Sequence, residues 1–267
     1  MSDLFFVAKR CLDAASPEAK VAATFNAAAA FGRGELVTNE VSPAPKPIRM
    51  PGRPPSPRLV HPRDLPKRGL GSCEGRAAFI HAVAHIEFNA IDLAWDAVYR
   101  FRGMPDAYYA DWVGVANDEA RHFSLLRTRL RELDHDYGDF DAHNGLWEMA
   151  EKTDRDGLAR MALVPRVLEA RGLDVTPGMI VKLRGLGDHA TADILELILS
   201  EEVAHVAAGS HWFRWYCKRA GVEPNTRFRE LLREYATGVL RKPFNMEARK
   251  LAGFDIEELE DLLAESD

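Results

Sequence analysis

The chain has 267 residues, 46% of them hydrophobic, which suits one large domain with appendages or two small ones and excludes chain-wide disorder. A net charge of -6 and a pI near 5.9 argue against general nucleic-acid binding, leaving only a local basic strip to consider. Cys11, Cys73 and Cys217 are too few and too scattered for a disulfide framework or a thiolate metal site, so a reducing compartment is expected.

Residues 3 to 32 read as helical, with Ser16-Pro17-Glu18 as a start signal and the alanine-rich stretch Ala22 to Ala30 as a good helix former. The start lacks the basic segment and long apolar core of a signal peptide, and no apolar run approaches the roughly 18 residues of a membrane span. A soluble, cytoplasmic protein is expected, with no membrane partner. From Val41 to Leu65 eight prolines exclude helix and central strand, so this segment should run extended over a surface. Residues 46 to 68 carry seven basic side chains (Lys46, Arg49, Arg53, Arg58, Arg63, Lys67, Arg68) against Asp64 alone. Such an arm either binds phosphate or RNA, or wraps the acidic faces of its own domain, and the second is the commoner use.

Four longer helices come next. The first spans about 73–101 and the second about 106–133, separated by the stop-and-restart signal Phe101-Arg102-Gly103-Met104-Pro105. Residues 134 to 153 are too long for a hairpin turn and suit a crossover between the two halves of a bundle. The third helix, about 155–171, contains Pro165, which should kink it; Gly172 should end it, and Thr176-Pro177 should start a short helix to Gly185. The fourth spans about 188–219, and the segments 226–240 and 255–265 read as further helices. The expected organisation is an N-terminal helix and arm over 1–68, a bundle over 69–220, and a helical extension over 221–267.

Chemistry concentrates in two short stretches. Glu119 precedes His122 by three residues, and Glu202 precedes His205 by three, so each pair shares one helix face about one turn apart and can converge on an ion. Both pairs fall on apolar stripes, which makes them members of a buried face where an uncompensated carboxylate is costly. Upstream lie Glu87 and Glu169, also on apolar stripes. The midpoint of Glu87 and Glu119 is Gly103, and that of Glu169 and Glu202 lies between Gly185 and Gly187, so each pair should meet across a helical hairpin. A single Glu-x-x-His is common by chance and reads equally as a core ion pair. Two at matched positions, each preceded by a buried Glu, favour metal. Four carboxylates and two imidazoles suit two Fe ions, with Mn as the alternative.

Several neighbours are candidates for supporting roles. Glu201 and Asp118 each sit one step before a ligand Glu and read as outer-face groups. His85 and His81 point off the ligand stripe and read as surface residues or ligand supports. His143 and Trp147 in the crossover are candidate pocket caps, with a loop hydrogen bond as the other reading of His143. Arg160 and Arg166 are long cations near the level of Glu169, and Arg166, three residues earlier, is placed to pair with a carboxylate.

The sequence Glu, Glu-x-x-His, Glu, Glu-x-x-His on four helices resembles the ferritin-like di-iron carboxylate superfamily. More closely, it resembles a ferritin-like family carrying a domain-of-unknown-function label, in His85 to Leu93, Asp118 to His122, Glu169-Ala170-Arg171-Gly172-Leu173-Asp174, Glu201 to His205 and Pro243-Phe244-Asn245, over roughly residues 65 to 250. The resemblance implies an all-α, ferritin-like four-helix bundle. In the family pattern Glu119 and Glu202 bridge two ions, Glu87 and Glu169 ligate one ion each, and each His completes one. Distant similarity to tRNA-modifying di-iron hydroxylases implies metal-dependent redox chemistry without naming a substrate. The expected function is oxidation or hydroxylation of an unknown small molecule by O2, with an external electron donor, in a monomer or small homo-oligomer. Modification of RNA and non-catalytic iron binding or peroxide scavenging are the alternatives.

Overall fold

The structure, a computed structural model, describes residues 1–39, 41–236 and 241–264. It is all-α apart from a two-residue parallel pairing of β1 (Ser2–Asp3) with β2 (Leu36–Val37). Two compact units divide the chain, Met1–Glu151 and Lys152–Asp267. Among the described residues no helix is long and apolar enough to cross a membrane.

The first unit is organised by a hairpin of α3 (Cys73–Arg100) and α4 (Asp106–Arg131). Ser72 caps α3 by accepting the Gly75 N–H at 3.0 Å. Gly75 is required there, because a Cβ would lie 1.9 Å from the Gly69 carbonyl oxygen. Gly103 makes the turn with φ +67, a conformation open to glycine without strain. The N-terminal stretch forms two helices rather than one, α1 (Leu4–Asp13) and α2 (Pro17–Gly32), with the break falling just before the Ser16 cap. Helix α1 packs on α3 and α2 on α4. Buried polar contacts fix α2 against α3: Lys20 pairs with Asp92, and the Trp95 indole N–H donates to Thr24 Oγ1 at 3.0 Å.

The proline-rich arm packs on its own unit. Its backbone is tied down by Gly52 N–H donating to the Leu12 carbonyl at 2.7 Å, by the Trp147 indole N–H donating to the Arg49 carbonyl at 3.0 Å, and by a bridge between Leu59 and Ala142. Several of the basic side chains are held internally, Arg58 by Asp141, Arg68 by Glu74, and Arg53 by Asn89. The crossover also contains a helix that its composition did not signal, α5 (Gly145–Lys152).

The second unit begins with α6 (Gly157–Leu163), passes through a π-helical turn at Val164–Glu169, and continues as α7 (Ala170–Gly185). The expected stop at Gly172 and restart at Thr176-Pro177 do not occur; α7 runs through both. Pro177 has no N–H to give the carbonyl one turn earlier, but Asn245 Nδ2 donates to that Leu173 carbonyl at 3.1 Å, which removes the penalty. Pro165 shows itself as the π turn, and its ring sits against Gly209 of α8 (His189–Ala220), where a Cβ would come within 2.3 Å of Pro165 Cγ. Helices α7 and α8 form the second hairpin, turning at Leu186–Asp188.

The rest of this unit comprises α9 (Pro224–Tyr235), α10 (Met246–Leu251) and α11 (Ile256–Ala264). Helix α10 falls between the two helices expected in this region, started by the Asn245 side chain accepting the Ala248 N–H at 3.2 Å. Residues 237–240 and 265, within the two expected C-terminal helices, lie outside the described residues.

Candidate metal centre

Unit one brings three of the expected ligands together. Glu87 projects from α3 towards α4, and His122 Nδ1 lies 3.1 Å from Glu87 Oε2 and 3.6 Å from Glu119 Oε2. The i,i+3 spacing on α4 stacks Glu119 and His122, and the hairpin supplies Glu87 from opposite. All three are buried, at 4%, 1% and 0% exposure. Each offers an atom within 4.8 Å of the others, so this buried Glu/His cluster can hold a metal ion. Burial alone would lower the His122 pKa; the hydrogen bonds and charges of Glu119 and Glu87 outweigh it and raise the imidazole to about 11. In the metal-free chain a proton on His122 therefore does part of what a cation would do, balancing two buried carboxylates. The donor set combines hard carboxylate oxygen with borderline imidazole nitrogen and contains no soft ligand.

Unit two repeats the pair on α8, with His205 Nδ1 3.5 Å from Glu202 Oε1. His205 is buried and Glu202 nearly so. Glu169 closes the π turn, and that turn packs on α8. Its backbone is therefore held differently from that of Glu87, which lies within a regular helix of 28 residues.

Residues 13–260 match a family described as a protein of unknown function, DUF455. The chain belongs to that family. A Haemophilus influenzae relative, an uncharacterized protein, is 47% identical over 214 residues, covering 78% of this chain and 74% of the relative. No solved structure gives a significant match.

Within this DUF455 chain the supporting residues depart from the sequence expectations in several places. Asp118 pairs with Arg121 at 3.4 Å on a partly exposed face, as an outer group should. Glu201 is half-buried on α8. His85 is not a surface residue: it is buried, its Nε2–H donates to the His143 carbonyl at 3.0 Å, and Nδ1 accepts from the Tyr137 hydroxyl at 2.8 Å. His81 is fully buried and accepts the Gly138 N–H at 2.9 Å through Nε2. Helix α3 buries His81, Ala84 and His85 on one side and exposes Ala82 and Ile86 on another, so pointing off the ligand stripe does not mean pointing to solvent.

His143 accepts the Gly145 N–H at 3.2 Å, a loop hydrogen bond, and Trp147 is buried against the arm rather than free to cap a pocket. Arg160 donates to Thr153 Oγ1 at 2.8 Å. Arg166 turns to Glu258 of α11, at 2.5 Å, and lies among the rings of Phe213, Phe228 and Phe254. Sequence proximity to Glu169 suggests a partner on the same helix; the C-terminal helix supplies one instead.

Tyr137 is a buried residue of the first unit that sequence reasoning missed. It comes from the crossover loop and packs against His81, His85, Phe88 and Phe123. A lone loop tyrosine carries no periodic signal. Two of the phrases that carried the family resemblance are tied to one another and to α10. Arg249 grips Asp174 through two bonds of 2.9 and 2.8 Å, the Asn245 N–H donates to Asp174 at 2.9 Å, and Arg171 donates to the Pro243 carbonyl at 2.9 Å.

Proposed function

We propose that this chain is a ferritin-like, dinuclear-metal oxidoreductase that uses O2 to oxidise or hydroxylate a small-molecule substrate. Glu87, Glu119 and His122 supply three donors, and Glu169, Glu202 and His205 supply the same three types in the second unit. The observation that carries the reading is the buried Glu87–Glu119–His122 cluster, whose two carboxylates and one imidazole converge within reach of a single ion. Repetition of the donor pattern supports a pair of ions, four carboxylates balancing the charge of two divalent cations. Iron pairs held by such ligands supply two electrons to O2 when bound.

The protein's own part in this chemistry is positioning and exclusion of water. Glu119 and His122 are fixed one turn apart on α4, and Glu87 is presented from α3, so little rearrangement is needed to ligate. The rings of Phe88 and Phe123, with centroids 5.1 Å apart, belong to the same two helices and keep this part of the hairpin apolar. His122 holds the proton that a cation must displace.

The test is metal analysis and then O2 uptake. Anaerobic loading with Fe(II) should give about two ions per chain, and O2 from air should then be consumed at about one O2 per two Fe(II). Glu119→Ala should bind less iron and consume less O2. Fewer than about one ion per chain, or unchanged O2 uptake in Glu119→Ala, would overturn the assignment. A storage role differs in giving no multiple turnover when an external reductant is added.

A further inference from the structure

A second site lies in the first unit, distinct from the ligand cluster in its composition. The proline-rich arm and the α3 face meet around a cavity of about 330 Å³, lined in part by Arg53, Pro54, Pro57, Leu59, His85 and Tyr137. That volume is at the lower end for small-molecule sites, which run from about 300 to 1,000 Å³. Among the described residues no carboxylate lines it.

The polar groups there are not equivalent. His85 and Tyr137 are bonded to each other, and the remaining ring nitrogen of His85 is used by the His143 carbonyl. Arg58 is exposed and paired with Asp141. Arg53 differs from these. Its Nη2 donates to Asn89 Oδ1, while Nε and Nη1, both shielded from water, have no acceptor among the described residues. Asp92 attracts it through space, but Asp92 is bonded to Lys20. A guanidinium withdrawn from water without a bonded carboxylate is costly unless an anion completes it.

The walls set the rest of the ligand. Pro54, Pro57 and Leu59 offer apolar surface and little conformational freedom to lose, since proline φ is already fixed. We propose that this cavity binds a small organic acid, an aromatic or branched monocarboxylate whose carboxylate is received by Arg53 and whose apolar body lies against the proline-rich arm. The proposal goes beyond the metal-centre reading and stands without it.

The test is a calorimetric titration of the full-length protein with benzoate, using neutral benzamide and inorganic phosphate as comparison probes. Benzoate should saturate one site per chain, benzamide should not bind at the same concentrations, and phosphate should not displace benzoate. Arg53→Gln should weaken benzoate by at least about 10-fold, the scale of a lost charge-assisted hydrogen bond. Arg58→Gln, at the exposed pair with Asp141, should weaken it by less than about 3-fold. Met50→Trp, which replaces a flexible thioether chain at the cavity lining with a bulky indole, should block benzoate and serves if Arg53→Gln does not fold. The titration is repeated after dialysis against EDTA, where unchanged affinity separates this site from carboxylate ligation to metal. Equal binding of benzamide, displacement by phosphate, undiminished binding in Arg53→Gln or in Met50→Trp, or loss of binding with EDTA would overturn the proposal.

Discussion

Acid should weaken the first unit through His81, and the size of the effect comes from its surroundings. The Gly138 N–H donates to Nε2, so the ring proton must sit on Nδ1, and protonating Nε2 would set two donors against each other. Burial lowers the His81 pKa from 6.5 to about 4, against a smaller opposing pull from Asp139. Since the folded pKa is below the unfolded one, the unfolded chain binds more protons between these values. The contribution is complete above pH 6.5 and is lost as pH falls towards 4, amounting to about 2 kcal/mol at pH 5 and about 3 kcal/mol below pH 4. His81→Gln keeps an acceptor for the Gly138 N–H and removes the titration. Urea unfolding of metal-free protein at pH 7 and pH 5 should show the wild type losing about 2 kcal/mol more than His81→Gln. His122 acts with the opposite sign, since its raised pKa gives stability that is complete below 6.5 and lost as pH rises towards 11; it is common to both proteins and cancels. Equal losses in the two proteins, within about 0.5 kcal/mol, would mean that His81 is not the group that titrates.

Two further outcomes test other parts of the molecule. Divalent metal binding at pH 7 should release about one proton per chain from His122, and affinity should rise with pH, as read by titration in weakly buffered solution; no release would contradict the His122 assignment. Asn245→Ala should cost about 1–3 kcal/mol in urea unfolding, because it removes both the α10 cap at the Ala248 N–H and the donor to the Leu173 carbonyl.

The first hairpin was legible because its determinants are local. Periodicity marks α3 and α4, Gly103 marks the turn, and equal distances from that turn put Glu87 level with Glu119, with His122 one turn further along α4 and in contact with Glu87. The second hairpin was legible only at its ends. Whether Pro177 breaks a helix depends on whether something else satisfies the Leu173 carbonyl, and the donor, Asn245, lies far along the chain. The same holds for Arg166, whose partner Glu258 belongs to the last helix. A stripe of apolar residues likewise predicts one buried face but not the second, so His81 and His85 read as surface residues or ligand supports and their burial did not show. The arm's course was legible from its prolines, whereas the destination of Arg53 was not, because an extended chain has no period that assigns its side chains to a face.

The unlike settings of Glu87 and Glu169 lead to the prediction that separates folding from function most sharply. A π turn inserts one residue into the helical repeat and rotates the downstream residues by roughly 100° relative to an unbroken α-helix. Pro165 lacks the N–H that an α-helix would use there, and Gly209 leaves room for its ring. Pro165→Ala restores the N–H and removes the ring, so local propensity favours reversion to α-helix by up to about 3 kcal/mol. If the π turn sets the direction of Glu169, this variant should be as stable as the wild type or more so, yet retain closer to one ion per chain than two. Undiminished metal content in a well-folded Pro165→Ala protein, measured by elemental analysis beside urea unfolding, would show that the turn is a packing solution to proline and that the aim of Glu169 does not depend on it.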